Sequence, residues 1–278
     1  MTVGQIISRT LGVVVQRFGA LIGLWALYFA MQIAATVGLG LFVGASASLG
    51  WGTGSMAGMT AGMIFGTIIF YVVYFMVYFA QVASLTAAST PLRRVGFGEA
   101  LSTGLRSAPT MLGIIILLMI GYFVLALLVG VVGGVLSMAG KAGIVVFGLL
   151  ALVAAVFLFC RLSMVNAVVA IDHVVNPITA ITRSWTITKG KVLTIFGSML
   201  VFGFACLVLF AAAFAPFYTS FKAATETGGM PNMATLGFGF VAVVIVAIFL
   251  AIVMSALISV IHGELIDGAG EDTAEIFA

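Results

Sequence analysis

Arg161 is the residue of this 278-residue sequence that most needs a chemical rationale. It stands in an apolar run, 142–171, and a charge at mid-membrane costs about 2.5–3.5 kcal/mol on insertion scales. Two placements are open. If the helix extends through residue 171, the guanidinium needs a partner or a ligand inside a bundle. If the helix ends near Cys160, the side chain reaches the headgroups along its apolar stem. Asp172 cannot be that partner along a straight helix: eleven residues bring both to nearly one face but leave about 16 Å between them. A cation from another connector, Arg183, suits Asp172 better. Around Arg183 lie Trp185 and Lys189, an aromatic ring and a second cation suited to headgroups or a partner surface. Gln81, inside another apolar run, is the remaining polar candidate.

These six residues, Arg161, Asp172, Arg183, Trp185, Lys189 and Gln81, are candidates for lipid, partner or ligand contact rather than for catalysis. No nucleophile stands beside a base, no glycine-rich phosphate loop occurs, and no two carboxylates share an apolar run, so no enzymatic activity is expected. His173 and His262 are single histidines, and a metal site needs more ligands at suitable spacing. Cys160 and Cys206 each sit in an apolar run and read as small buried hydrophobes. No metal, cofactor or disulfide is expected.

The elements that must position these residues are membrane spans. Of the chain, 63% is hydrophobic and 7% charged, against roughly 25% charged in soluble domains. Six runs reach the roughly 20 apolar residues needed to cross a bilayer: 19–44, 58–88, 109–138, 142–171, 192–218 and 236–261. They are apolar all round, which argues against barrel strands, where polar and apolar residues alternate. The expected fold is an all-α polytopic bundle forming one membrane domain over 1–278. An amphipathic helix over 1–18 precedes it and an acidic cytoplasmic tail over 262–278 follows. The first run is too long for a signal-peptide core and is expected to stay in the protein.

The net charge of +3 forms no basic stripe, so nucleic acid is not an expected partner. Instead, nine of the eleven basic residues (Arg9, Arg17, Arg93, Arg94, Arg106, Arg161, Arg183, Lys189 and Lys191) fall at one end of the spans. Only Lys141 and Lys222 fall at the other. The positive-inside rule then places both termini in the cytoplasm, in what reads as a bacterial inner membrane. The opposite connectors, 45–57 with Trp51 and 221–234 with Pro231, read as short exposed loops.

Several short patterns refine this layout. Ile7-Ser8-Arg9-Thr10-Leu11 aligns without gaps with Ile181-Thr182-Arg183-Ser184-Trp185, and the same offset brings Gly23 onto Gly197. Leu101-Ser102-Thr103-Gly104-Leu105 is a weaker copy. The implied unit is an amphipathic segment plus two spans, present three times, with Gln81 in the place of Arg161. Asn176-Pro177 is a good helix start, Gly190 permits a bend, and Pro109 gives a similar restart. The glycines Gly54, Gly58, Gly62 and Gly66, and the pairs Gly40/Gly44 and Gly130/Gly134, suggest close helix packing. Tyr71, Tyr74, Phe75 and Tyr78 form an aromatic stripe, also read as packing.

Arg161-Leu162-Ser163, then Asp172, then Ala180-Ile181-Thr182-Arg183-Ser184-Trp185-Thr186-Ile187-Thr188-Lys189-Gly190 resembles the glycerophosphoryl diester phosphodiesterase membrane-domain family. The strong part of the resemblance covers 161–191, with Asp172 where the family more often has Glu. It implies a polytopic helical membrane domain, and many stand-alone members of that kind lack an assigned activity. No room for a soluble catalytic domain follows the sixth run, so the phosphodiesterase activity is not expected here. Two functions are therefore weighed. One is a non-enzymatic scaffold or anchor whose cytoplasmic connectors engage membrane lipids or a protein partner. The other is a small-molecule or lipid transporter with a polar site around Arg161.

Overall fold

The protein is known here from a computed structural model, which describes the backbone of residues 2–53, 56–137 and 140–277 and the side chains other than those of 46–62, 137–139, 141 and 267–277. The described residues form eight helices and no strand: α1 (Val3–Thr53), α2 (Met56–Ala88), α3 (Phe97–Ser137), α4 (Lys141–Leu162), α5 (Val165–Ile171), α6 (Pro177–Ile187), α7 (Val192–Thr227) and α8 (Met233–Phe277). Six stretches are long and apolar enough to cross a membrane: Val3–Ala45, Met63–Ala88, Phe97–Leu136, Ala142–Ile171, Val192–Thr227 and Met233–Ile266. The chain is an all-α, membrane-helical protein.

Why the helices meet where they do follows from residue size. Lipid tails are as apolar as leucine, so large side chains gain little by leaving them, and close contact falls to small and hydrogen-bonding residues. The last three turns of α2 read Ala80-Gln81-Val82-Ala83-Ser84-Leu85-Thr86-Ala87-Ala88, and all but Val82 are buried. The second half of α3, from Ile115 onward, is built from large aliphatics and is nearly all exposed, as is most of α4. The bundle therefore converges at its basic end, where α2 packs between α1 and α3, and α8 packs against both α1 and α7. The larger core there includes Leu21, Leu24, Tyr28, Met111, Val168 and Ile252; a second one gathers Ile6, Cys160, Met164, Ile195 and Leu257.

The tightest contact joins α1, α2 and α3. Tyr28 and Ser84 share a 2.8 Å hydrogen bond. A Cβ placed on Gly104 would lie 1.9 Å from Ser84 Oγ, 2.3 Å from the Ala80 carbonyl and 2.9 Å from the Tyr28 hydroxyl. Only glycine fits, because one of those atoms is backbone and cannot turn aside. Above this contact Gln32 donates to Gln81 at 2.9 Å, an amide pair that satisfies both side chains within the bundle.

Several local expectations are corrected. The amphipathic N-terminal segment is continuous with the first span, with a kink at Arg17 (φ −115°, ψ 15°). Pro109 lies inside α3 and does not restart it. Run 142–171 keeps its bounds as a candidate span but is broken internally, with α4 ending at Leu162 and α5 starting at Val165. The connector 45–57 is helical through Thr53, so helix propagation prevails over its Gly/Ser content, and α7 likewise runs on to Thr227. Residues 262–277 continue α8 rather than forming a separate tail.

Of the glycine pattern, Gly66 does face a neighbour, since its Cβ would meet the Phe42 ring at 2.2 Å. Gly40, Gly44, Gly130 and Gly134 have nothing within 4 Å of a would-be Cβ. Spacing alone does not say which face meets a helix and which meets lipid. Side-chain readings at Trp51, Gly54, Gly58 and Gly62 lie outside the described residues. The aromatic stripe is not helix packing either: Tyr71, Phe75 and Tyr78 are exposed and contact rings of their own helix, as in the 6.3 Å stack of Tyr71 on Phe75. Cys160 is buried, Cys206 half-buried, and both are free thiols.

Gly104→Ala should lower the thermal midpoint of the detergent-purified protein, with a loss of about 1–3 kcal/mol from overpacking. Gly40→Ala, in open space, should leave it unchanged or raised. Equal effects from the two would place the close approach elsewhere.

Candidate functional site

Four of the six sequence candidates converge on α6, an eleven-residue helix beside the span ends. Its start is the one the sequence announces: Asn176 Oδ1 accepts from the amides of Ile178 (2.9 Å) and Thr179 (3.3 Å), with Pro177 in the first turn. Gly190, at φ +76°, takes the left-handed bend that turns the chain into α7. Between those ends α6 buries only Ala180 and Ser184. Ile181 and Ile187 also pack, partly buried, against the cores, and polar contacts add to that packing.

Arg161 supplies one of them. Standing in the last turn of α4, which ends at Leu162, it is partnered by protein, the first of the two placements in kind though without the continuous helix to residue 171. Its Nη1 donates to the Trp185 carbonyl at 2.7 Å and lies 3.5 Å from Thr188 Oγ1. The guanidinium carbon sits 5.2 Å from the Phe157 ring centre and 5.0 Å from that of Trp185, and these two rings meet edge-to-face at 5.8 Å. Ser184 returns a hydrogen bond to the Arg161 carbonyl at 2.8 Å. Trp185 is in the final turn of α6, and its carbonyl, which also accepts from Thr188 Oγ1 at 3.3 Å, lies at the negative end of the helix dipole, so a cation is well placed there. Each cation–π contact adds on the order of 0.5–2 kcal/mol. Arg161 is a brace between α4 and α6.

Asp172 supplies the other. Its Oδ2 accepts from Arg183 Nε at 2.7 Å, the pairing expected from the sequence. Its Oδ1 lies 3.1 Å from His262 Nε2, on α8. The imidazole is fully buried while Arg183 is half exposed. With a carboxylate as its neighbour, Nε2 carries the proton and donates. Burial by itself would raise the Asp172 carboxyl, but the hydrogen bonds and charges of His262 and Arg183 together outweigh it and hold the group below the usual carboxylate range. One carboxylate thus ties the end of α5 to α6 and α8.

Further contacts close the same end. Arg17, at the kink in α1, donates to the Ala88 carbonyl at 2.7 Å and to the Arg93 carbonyl at 3.2 Å, capping the end of α2. Arg9 pairs with Glu264, and Arg93 with Glu99. Asn166 donates to Thr86 Oγ1 at 2.9 Å.

The other two candidates are not part of the cluster. Lys189 is exposed just past α6, and among the described residues it has no ion pair. Gln81 is committed to Gln32 between α1 and α2. The placement of Gln81 as an equivalent of Arg161 is therefore not reproduced: one turns inward to an amide and the other outward to α6. His262 is the residue that sequence reasoning missed, since a single histidine ninety positions from Asp172 carries no spacing signal. Among the described residues no group of His, Cys, Asp and Glu could hold a metal ion.

Compared with models of protein families, with characterised proteins and with solved structures, the chain matches none.

Asp172→Ala should destabilise the protein by on the order of 2–4 kcal/mol, because His262 is left buried without its partner. Since the folded-state carboxyl lies below its ordinary value, the stabilisation is full above the ordinary carboxylate range and is lost as pH falls through the lower folded value. Melting of the wild type should therefore move down as pH drops below about 4. Asp172→Asn should be less stable at neutral pH and flatter over that range; an unchanged acid profile would show that another group controls it.

Proposed function

We propose that the protein is a non-enzymatic membrane scaffold or anchor, with its basic end in the cytoplasm and its connectors, α6 above all, forming the surface that meets lipid headgroups or a protein partner. The observation that carries this reading is the way α6 is held. Its inner side is fixed by Arg161 and Asp172, while Ile178 (64% exposed) and Trp185 (40% exposed) face outward beside Arg183 and Lys189. The outward threonines bond to their own helix, Thr182 to the Ile178 carbonyl at 3.1 Å and Thr186 to the Thr182 carbonyl at 2.9 Å. A surface with apolar anchors, cations and few unspent donors suits the boundary between headgroups and acyl chains.

The placement of both termini in the cytoplasm of a bacterial inner membrane rests on the one-sided Lys and Arg distribution. The resemblance of 161–191 to the glycerophosphoryl diester phosphodiesterase membrane-domain family falls on the same segment and agrees with a stand-alone membrane module. The transporter reading has less support, because Arg161 and Gln81 are both occupied by neighbours and line no cavity described in the bundle.

Mass spectrometry of the protein extracted in patches of its native membrane tests the proposal. The wild type should retain a stoichiometric protein partner or a bound complement of anionic lipid. A variant carrying Ile178→Ser and Lys189→Glu, both outside the braces, should lose it while melting within about a degree or two of the wild type. Identical complements from both proteins would sink the proposal. A small molecule retained instead, and lost in Arg161→Ala, would favour transport.

A further inference from the structure

A second feature of the basic end stands apart from α6 and does not rest on the scaffold reading. Between α3 and the turn joining α5 to α6 lies an open pocket of about 320 Å³, lined by Ser102, Thr103, Arg106, Ser107, Thr110 and His173 among others. This size is at the low end for small-ligand sites, enough for a headgroup or a small anion. The five residues from α3 recur at helical spacing, so one face of that helix presents four hydroxyls and a guanidinium to a single space.

We propose that this pocket binds a phosphate-type anion, either a phosphate monoester or a phosphodiester. The donors are divided in an informative way. Ser102 already donates to the Glu99 carbonyl at 2.9 Å, and Thr110 to the Val175 carbonyl at 3.0 Å, so both help to build the wall. Thr103 and Ser107 are 6% and 7% exposed, and their hydroxyls have no hydrogen-bond partner among the described residues. A helical serine or threonine ordinarily bonds back to the preceding turn, as Thr86 and Ser198 do here at 2.8 and 2.9 Å. Two residues more than nine-tenths buried, whose hydroxyls forgo this bond and border an open pocket, hold donors for something that enters it. Arg106 is exposed and, among the described residues, has no carboxylate partner.

His173 adds a second, independent mark. It is the one described non-glycine residue with positive φ, at 56°, just past the end of α5. Glycine is the usual occupant of such a position, and another residue there costs on the order of 1–2 kcal/mol. The side chain kept at that cost lines the pocket. The nearby carboxylates are committed elsewhere: Glu99 pairs with Arg93, and Asp172 pairs with Arg183 and His262. Among the described residues, no acidic side chain lines the pocket itself. A guanidinium, an imidazole and two free hydroxyls form a donor set for a group with several acceptor oxygens, and phosphate is such a group.

The test uses the full chain in a phosphate-free maltoside detergent, with melting followed during titration by inorganic phosphate or by short-chain phosphatidylglycerol. Chloride at matched ionic strength is the control. The wild type should be stabilised beyond the chloride control. Arg106→Gln should raise the half-saturating concentration about tenfold or more without changing the ligand-free midpoint, since that side chain braces nothing. His173→Gly should melt at the same temperature or higher and yet bind several-fold more weakly. A response to both probes assigns the pocket to a phosphate group whatever carries it, and a response to the lipid alone assigns it to a headgroup. Absence of any response beyond chloride, or equal affinity in the wild type and Arg106→Gln, would overturn the proposal.

Discussion

Asp172 stands at the end of α5, the point where the chain leaves the apolar run to start α6, and its two oxygens are divided between Arg183 and His262. The rest of the basic end depends on that division. α6 buries only two residues fully and packs Ile181 and Ile187 partly against the cores; α8 brings a fully buried imidazole that needs an acceptor. A single carboxylate serves both. Buried ion pairs often bring little net stability over an apolar replacement, because desolvation consumes most of the attraction. What this one supplies is position: with Arg161 it fixes the rotation of α6 about its own axis, which leaves Ile178 facing outward.

The same rule explains why the two ends of the bundle differ. With lipid as solvent, a leucine facing outward loses nothing, so the large aliphatics of α3 and α4 need no partner. A hydroxyl or an amide has no such freedom, and each must find a bond inside the protein or at the interface. The small and polar residues are concentrated in the last turns of α2 and the first turns of α3, and there Tyr28, Ser84 and Gly104 come together. Polar satisfaction, more than apolar burial, sets the depth at which the helices touch.

This asymmetry also accounts for what could be read from the sequence. The six spans were legible because a run of about twenty apolar residues matches the thickness of a bilayer and suits little else. The start of α6 was legible because Asn-Pro is a local signal, and Asp172 with Arg183 was legible because both lie in one connector. His262, the Trp185 carbonyl that holds Arg161, and the Gln32 that holds Gln81 were not, for each pairing joins residues distant along the chain with no periodicity between them. Gly104 was hidden for a related reason. It belongs to no glycine-only repeat, standing instead between Ala100 and Ala108 at four-residue spacing, whereas Gly40/Gly44 and Gly130/Gly134 do and face open space. A glycine's value depends on which face of its helix meets a neighbour, and in an all-apolar helix the sequence does not mark that face.

The cluster of basic residues at one end has, in this fold, a cause besides topology. Arg17 and Arg161 each donate to a carbonyl at the C-terminal end of a helix, Ala88 of α2 and Trp185 of α6. Those carbonyls stand at helix C-termini, so a guanidinium that reaches them both satisfies the oxygen and opposes the negative end of the helix dipole. Arginine suits this better than lysine, since its planar fork can donate to the carbonyl while its faces rest on aromatic rings, as Arg161 does between Phe157 and Trp185. Such an arginine is spent on the fold and is not available to a substrate. Arg94, Arg106, Lys189 and Lys191 have no such carbonyl to hold among the described residues, and they are the cations left to face outward.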